Sequence, residues 1–280
     1  MKMKKKMLLV LTTCMALCLC AMTGCGNDAA DHDENMVTGT VSLSGSTSME
    51  KVGKALCEGF NNEYPNVVVD LQLGGSSVGV QNVIDGKSDI GNCSRALKDS
   101  ETSAGITGHT IAIDGIAVIV NNANPVKDLT KEQLVGIYTG KITNWSMVGG
   151  KDMPIVVIGR EASSGTRGAF EEILKVEEQC KYGQEKNETG AVKTSVATTE
   201  NAIGYVSLDV IDDTVSLLSL GGVSATEENI VAGNYFLSRP FVMATKTGAE
   251  TETTQLFLEF VMSEKGQEIV KAVGLISVAE

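Results

Sequence analysis

The chain has 280 residues and is acidic, with 35 Asp and Glu against 23 Lys and Arg and a formal charge of −12. That balance excludes nucleic acid as a natural partner, and it makes an anionic ligand depend on local donors, because long-range repulsion fades only over a Debye length of about 8 Å.

At the N-terminus, Lys2, Lys4, Lys5 and Lys6 precede an apolar run from Met7 to about Met22, the order of a secretory signal and too short for a membrane span. Met22-Thr23-Gly24-Cys25-Gly26 follows and resembles a bacterial lipobox, with Met in place of the usual Leu and Cys25 as the acylated first residue of the mature protein. Residues 1–24 are therefore expected as a lipoprotein signal peptide, and 25–36, with the run NDAADHDEN, as a lipid-anchored acidic tether. Removal of the signal takes four basic residues, leaving 19 against 35 acidic ones, or −16. Folding should begin near Val37, in a stretch that suits one large domain or two lobes.

Beyond the tether, short apolar runs alternate with helical patterns. Val41–Leu43, Val67–Leu73, Ile111–Val120, Ile155–Ile158 and Arg239–Thr245 read as strands, being brief, rich in Val and Ile and bounded by Gly, Asn or Pro. Met49–Phe60, Val78–Ile84, Lys131–Tyr138, Arg167–Leu174 and Thr253–Val273 read as helices. In the first of them, Met49, Val52, Leu56 and Phe60 form one apolar stripe. Strand, Gly/Ser turn and helix in succession predict an α/β architecture with its turns gathered at one edge.

Three of those turns share a composition: SGSTS at Ser44–Ser48, GGSSVG at Gly74–Gly79 and GREASSGTRG at Gly159–Gly168. The first N–H groups of a helix lack intrahelical acceptors and sit at the positive end of its dipole, so hydroxyls and glycines there suit a tetrahedral oxyanion. The same residues also serve as caps. Thr47 with Glu50 has capping-box spacing, Ser77 precedes the second helix and Ser164 the fourth. One such turn is an ordinary cap; three, one of them carrying Arg160, point to a site.

Gly75-Ser76-Ser77-Val78-Gly79 also matches the G-x-S-x-G nucleophile elbow, which makes a serine hydrolase the enzyme alternative. The only histidines are His32, in the tether, and His109, so a base is hard to supply and no catalytic residue is assigned. Of the seven cysteines, Cys57, Cys93 and Cys180 follow the tether; without CxxC or Cys/His spacing they are expected as free, mostly buried thiols, with no metal and no cofactor.

The run GKITNWSMVGGKDMPIVVIGREASSGTRGAFEE, Gly140 to Glu172, together with VSLSGSTSMEKVGKAL and LGGSSVGVQNVIDGKSDIGNCSR, closely resembles the phosphate-binding proteins of bacterial ABC-type phosphate uptake systems. The resemblance runs from about Val41 to the end, through AIGYVSL and FVMSEKGQEIV, and with the lipobox it is similar to the lipid-anchored Gram-positive branch. It implies a two-lobed periplasmic-binding-protein (type II) fold with a ligand cleft between lobes. The lobes fall at 37–114 plus 222–280 and at 115–221. It also implies a monomer, lipid-anchored on the extracytoplasmic face of the membrane, that passes inorganic phosphate to ABC permease subunits. Another tetrahedral oxyanion, sulfate or molybdate, is the alternative ligand.

Carried over by position, the resemblance places phosphate ligands at Thr47, Ser48, Ser76, Arg160, Ser164, Gly165 and Thr166. Where some members have an aspartate that accepts a proton from phosphate, this chain has Ser94, followed by Arg95. Ser94 is expected in the site, and Arg95 as a further ligand or a clamp between lobes. Asp114 is expected either to supply the missing carboxylate or to stiffen the hinge beside Gly115.

Overall fold

The computed structural model describes residues 37–279, so the expected signal, Cys25 and the tether lie outside the described residues. The chain runs through β1 (Gly39–Ser46), α1 (Glu50–Glu63), β2 (Val67–Gly74), α2 (Ser76–Ile84), β3 (Ile90–Cys93), α3 (Asp99–Ser103) and the long β4 (Ile106–Asn121). Next come β5 (Asp128–Leu129), α4 (Lys131–Tyr138), β6 (Val156–Arg160), α5 (Gly165–Leu174), β7 (Gln184–Lys186), α6 (Thr189–Thr198) and β8 (Ala202–Ser207). The last elements are β9 (Val215–Leu217), β10 (Ser219–Leu220), α7 (Glu227–Val231), β11 (Ser238–Lys246), α8 (Glu252–Met262), α9 (Glu264–Ala272) and β12 (Ile276–Ser277).

One mixed sheet carries most of these strands in the order β2-β1-β3-β11-β4-β8-β6-β7, with β9 and β12 also paired to β4. β1 is parallel to β2 and β3, and β6 is parallel to β7 and β8, as expected of strands joined through helices. β4 joins the two sets. Its residues Ile106 to Gly115 pair antiparallel with β11, and Ile116 to Val120 pair antiparallel with β8. The handover from one partner to the other falls beside Asp114.

Side chains of β4 alternate between two cores. Ile116, Val118 and Val120 join Tyr138, Phe170 and Tyr205, whereas Ala117 and Ile119 join Val192 and Val196 of α6. Near β1 the pattern repeats, with Leu43, Leu56, Phe60, Phe241 and Phe257 on one face and Val80, Val83 and Val242 on the other. Strands covered on both faces need a near-continuous apolar sequence, which is why β4 reads as an unbroken Ile/Ala/Val run from Ile116 to Val120. The stripe of Met49, Val52, Leu56 and Phe60 is fully buried, as its spacing predicts.

The single helix expected over Thr253–Val273 is two. Ser263 ends α8 and caps α9: its Oγ donates to Phe260 O at 2.6 Å and accepts from Gly266 N at 3.2 Å. Gly266 makes the tight junction possible, because a Cβ there would stand 2.2 Å from Phe260 O. Cys57, Cys93 and Cys180 are free thiols, the first two buried, and burial pushes Cys57 and Cys180 up to about 11, away from reactive thiolate.

Candidate functional site

The ends of β1, β3 and β6 and the starts of α2, α5 and α6 converge on one buried polar cluster. After β1 the chain makes a tight turn, Thr47–Met49, whose cap is Ser46: its Oγ accepts from Ser48 N at 3.2 Å. The Thr47–Glu50 capping box does not form, and α1 begins at Glu50 after Met49, which makes no side-chain cap. Likewise α2 is preceded by Gly75, and Ser76 and Ser77 are its first residues rather than its cap. Ser46 thus takes over the capping after β1 and leaves the hydroxyls of Thr47 and Ser48 to other partners, as the Gly75 cap leaves that of Ser76. Ser164 does cap α5 as expected, accepting from Arg167 N at 3.3 Å. Its proton is not consumed by that bond.

Across the cluster, Ser48 Oγ lies 2.7 Å from Thr166 Oγ1 and 2.8 Å from Thr189 Oγ1. Thr47 Oγ1 accepts from Thr189 N at 3.3 Å and sits 3.2 Å from its hydroxyl. Ser46 Oγ donates to Ser94 Oγ at 2.8 Å, and Ser94 N donates to Ser76 Oγ at 3.1 Å. Gly165 packs straight onto this group; a Cβ there would fall 2.2 Å from Ser76 Oγ and 2.7 Å from Ser94 Oγ. All of these residues are buried.

Two guanidinium groups enter from opposite sides. Arg160 is 2% exposed; its outer nitrogens, Nε and Nη2, meet Glu161 at 3.0 Å each, and Nη1 donates to Thr189 Oγ1 at 3.0 Å. Arg167 Nη1 donates to Arg160 O at 2.9 Å and Arg167 stacks on Tyr182, holding this strand end in place. Arg239, at the start of β11, donates from Nε and Nη2 to Asp114 at 3.0 and 2.8 Å, while its Nη1 reaches Thr166 Oγ1 at 2.6 Å and Ser94 O at 3.0 Å. In both cases a carboxylate holds one edge of the arginine and the remaining nitrogen faces hydroxyls. Such a fork is suited to oxyanion oxygens.

The structure therefore brings together Thr47, Ser48, Ser76, Ser94, Arg160, Ser164, Gly165 and Thr166. It does not bring Arg95 or Asp114 to the same surface. Arg95 gives two bonds to Glu101, at 2.9 and 2.8 Å, and further bonds to Ala96 O and Ser77 Oγ, so both terminal nitrogens are committed outside the cluster. Burial pushes Glu101 up, but Arg95 and the Lys98 N–H outweigh it and hold the carboxyl below its ordinary value. Asp114 stands behind Arg239, and its Oδ1 also accepts from Ser207 Oγ at 2.8 Å and Leu208 N at 3.2 Å. Full burial pushes its carboxyl up, opposed by Arg239 and these donors. With both oxygens occupied, Asp114 is placed to orient Arg239 and not to take a proton directly from a ligand.

Two cluster residues escape the sequence reading. Thr189 opens α6 in the run Glu188-Thr189-Gly190, a hydroxyl beside glycine before a helix, which is the signal the other three turns carry. Arg239 reads as the polar start of a strand. Only its cross-strand register with Asp114 makes it part of the site. The hydrolase alternative finds no support: Ser77 Oγ meets Arg95, and His109 Nε2 meets Thr245 Oγ1 at 3.1 Å. Among the described residues, no group of His, Cys, Asp and Glu is arranged to hold a metal ion.

Comparison with known proteins agrees with this geometry. Residues 30–265 match the PBP superfamily domain. The chain is 34% identical to the phosphate-binding protein PstS of Bacillus subtilis (strain 168), over 96% of its own length and 92% of that protein. A crystal structure from Clostridium perfringens with bound phosphate, assigned as a phosphate ABC transporter substrate-binding protein, is 47% identical with a TM-score of 0.83, covering 86% of this chain and all of that one. An ABC-type phosphate transport receptor from Vibrio cholerae is 36% identical with a TM-score of 0.72, over 85% of this chain and 99% of that one. The chain has the α/β periplasmic-binding-protein fold and belongs to the PBP superfamily, within it to the phosphate-binding proteins of the PstS type.

Proposed function

We propose that the protein binds inorganic phosphate outside the cytoplasm and delivers it to an ABC-type permease, without catalysing a reaction. The observation that carries this reading is the buried cluster itself: hydroxyls of Ser76, Thr166 and Thr189 at three helix starts and of Ser48 and Ser94 after two strand ends, with Arg160 Nη1 and Arg239 Nη1 turned toward them. Glu161 and Asp114, the carboxylates that bond these two arginines, occupy the edges turned away from the hydroxyls. An anion thus meets donors without meeting charge repulsion at contact range, whatever the net charge of the chain.

In this reading the ligands are Thr47, Ser48, Ser76, Ser94, Arg160, Ser164, Gly165 and Thr166, with Thr189 and Arg239 added. They lie in a cleft between a lobe of residues 37–114 plus 222–280 and a lobe of 115–221. A monoprotonated phosphate differs from sulfate by one proton, and serine and threonine oxygens can accept it. Calorimetric titration with phosphate, sulfate and molybdate is the test. Phosphate should bind most tightly; sulfate binding of equal strength would overturn the assignment. Acylation at Cys25 places the protein, as a monomer, on the outer face of the membrane, and Cys25→Ser should release it from the membrane fraction.

A further inference from the structure

Behind the anion cluster lies a buried acidic group that phosphate binding does not use. Asp209, in the turn Leu208–Val210 that follows β8, is 8% exposed, and its Oδ2 is buried without a hydrogen-bond partner among the described residues. Its Oδ1 lies 2.5 Å from Ser207 Oγ, and the same Ser207 Oγ lies 2.8 Å from Asp114 Oδ1. A serine hydroxyl has one proton to donate, so it cannot satisfy two carboxylates at once. The pair of contacts is complete only if a second proton sits on the aspartate side.

Asp114 is engaged four times, twice by Arg239, once by Leu208 N and once by Ser207, which marks it as the ionised member. Asp209 has no arginine in hydrogen-bond contact. The charged groups that face it from neighbouring elements are Asp114 on β4, Arg239 on β11 and Lys51 on α1, and the Lys51 ammonium donates to the Asp209 backbone O at 2.8 Å and to Val273 O at 2.8 Å. Burial first, and then Asp114, push the Asp209 carboxyl up to about 6.

We propose that Asp209 holds a proton that it donates to Ser207, completing a buried chain from Asp209 through Ser207, Asp114 and Arg239 to Thr166, and so acts as a positioning residue for the anion site. Loss of that proton places a second negative charge beside Asp114 and forces Ser207 to abandon one of its partners. Arg239 is then drawn toward two carboxylates and away from Thr166, Ser94 and the anion. Anion binding is therefore stronger when Asp209 is protonated, on mildly acidic surfaces, quite apart from the protonation of the anion.

This inference rests on the phosphate reading of the site, and the test separates the two. The carboxyl carbon resonance of Asp209 is followed against pH in the wild-type protein, free and saturated with phosphate, alongside phosphate titrations of wild type and Asp209→Asn between pH 5 and 8. Asn keeps the donor that a protonated Asp supplies. The free-protein resonance should titrate near pH 6, and reciprocity requires phosphate to raise that midpoint. The ratio of wild-type to variant affinity, in which the titration of phosphate itself cancels, should be near one at pH 5. By pH 8 it should favour the variant roughly fivefold or more. A midpoint below pH 4.5, a midpoint that phosphate leaves in place or a ratio that is flat with pH each overturns the proposal. If the variant does not fold, the two wild-type titrations decide. If wild type takes up no phosphate, the functional reading fails, while the free-protein midpoint still reports whether Asp209 holds its proton.

Discussion

Two regions of the molecule contain a buried arginine, a carboxylate and nearby serines, yet only one leaves a terminal arginine nitrogen clear of its carboxylate and facing hydroxyls. At the cluster, Arg160 and Arg239 each give two nitrogens to a carboxylate and keep Nη1 for threonines. At the neighbouring groove, lined by Arg95, Lys98, Asp99, Arg167, Glu171, Glu172, Glu177 and Glu178 among others, Glu101 takes both terminal nitrogens of Arg95, and carboxylates outnumber cations along the wall. Chemical type is shared and geometry is not. In a chain this acidic, what sets Arg160 and Arg239 apart from Arg95 is that their carboxylates leave a terminal nitrogen uncovered.

The strongest test of that contrast is Arg160→Ala. It removes a buried charge-assisted donor and should weaken phosphate binding by about 4 kcal/mol, close to a thousandfold. Binding within threefold of wild type, read by calorimetry, would place Arg160 outside the site. Arg95→Ala should act oppositely. It strands Glu101 in a buried setting and should cost about 3 kcal/mol of folding stability in urea melts, while phosphate affinity stays within threefold. A large loss of affinity with unchanged stability would restore Arg95 as a ligand.

A smaller effect concerns stability against pH. Asp209 is raised from 3.8 to about 6, so the folded chain binds a proton here that the unfolded chain has released. This group's contribution is fully present below the unfolded value and is lost as pH rises through about 6. Asp209→Asn should therefore stabilise the protein at pH 7.5 by about 2 kcal/mol, and the advantage should vanish toward pH 4. Melting curves of the two proteins at both pH values check it; an advantage that grows toward acid would reverse the sign of the argument.

Much of the architecture is legible in sequence because it follows from local patterns. The stripe from Met49 to Phe60 and the Val/Ile run of β4 encode their own burial. The site is only partly legible, for a related reason. Ser76, Arg160 and Thr166 sit in Gly/Ser-rich turns at strand ends, where composition and position speak together, whereas Ser94 is reached only through the family resemblance. Arg239 and Asp114 have no such signature; their role is created by cross-strand register between positions 125 residues apart. The capping box at Thr47 fails because Ser46, one residue earlier, takes the N–H of Ser48, a choice of turn that spacing alone does not reveal.

Thr189 sharpens the contrast at its finest grain. Its run has one hydroxyl where the other turns have two or more, yet that single residue meets three members of the cluster, Thr47, Ser48 and Arg160. In the Arg95 region the corresponding position is filled by Glu101, a carboxylate that consumes donors. A threonine instead passes a donor on. Thr189→Ala should remove one hydrogen bond to the anion and loosen Arg160 Nη1, weakening phosphate binding by about 1.5 kcal/mol, or roughly tenfold. Thr189→Ser, which keeps the hydroxyl, should stay within threefold. Equal losses in the two variants, measured in the same titration, would show that the methyl packing of Thr189 matters and its hydroxyl does not.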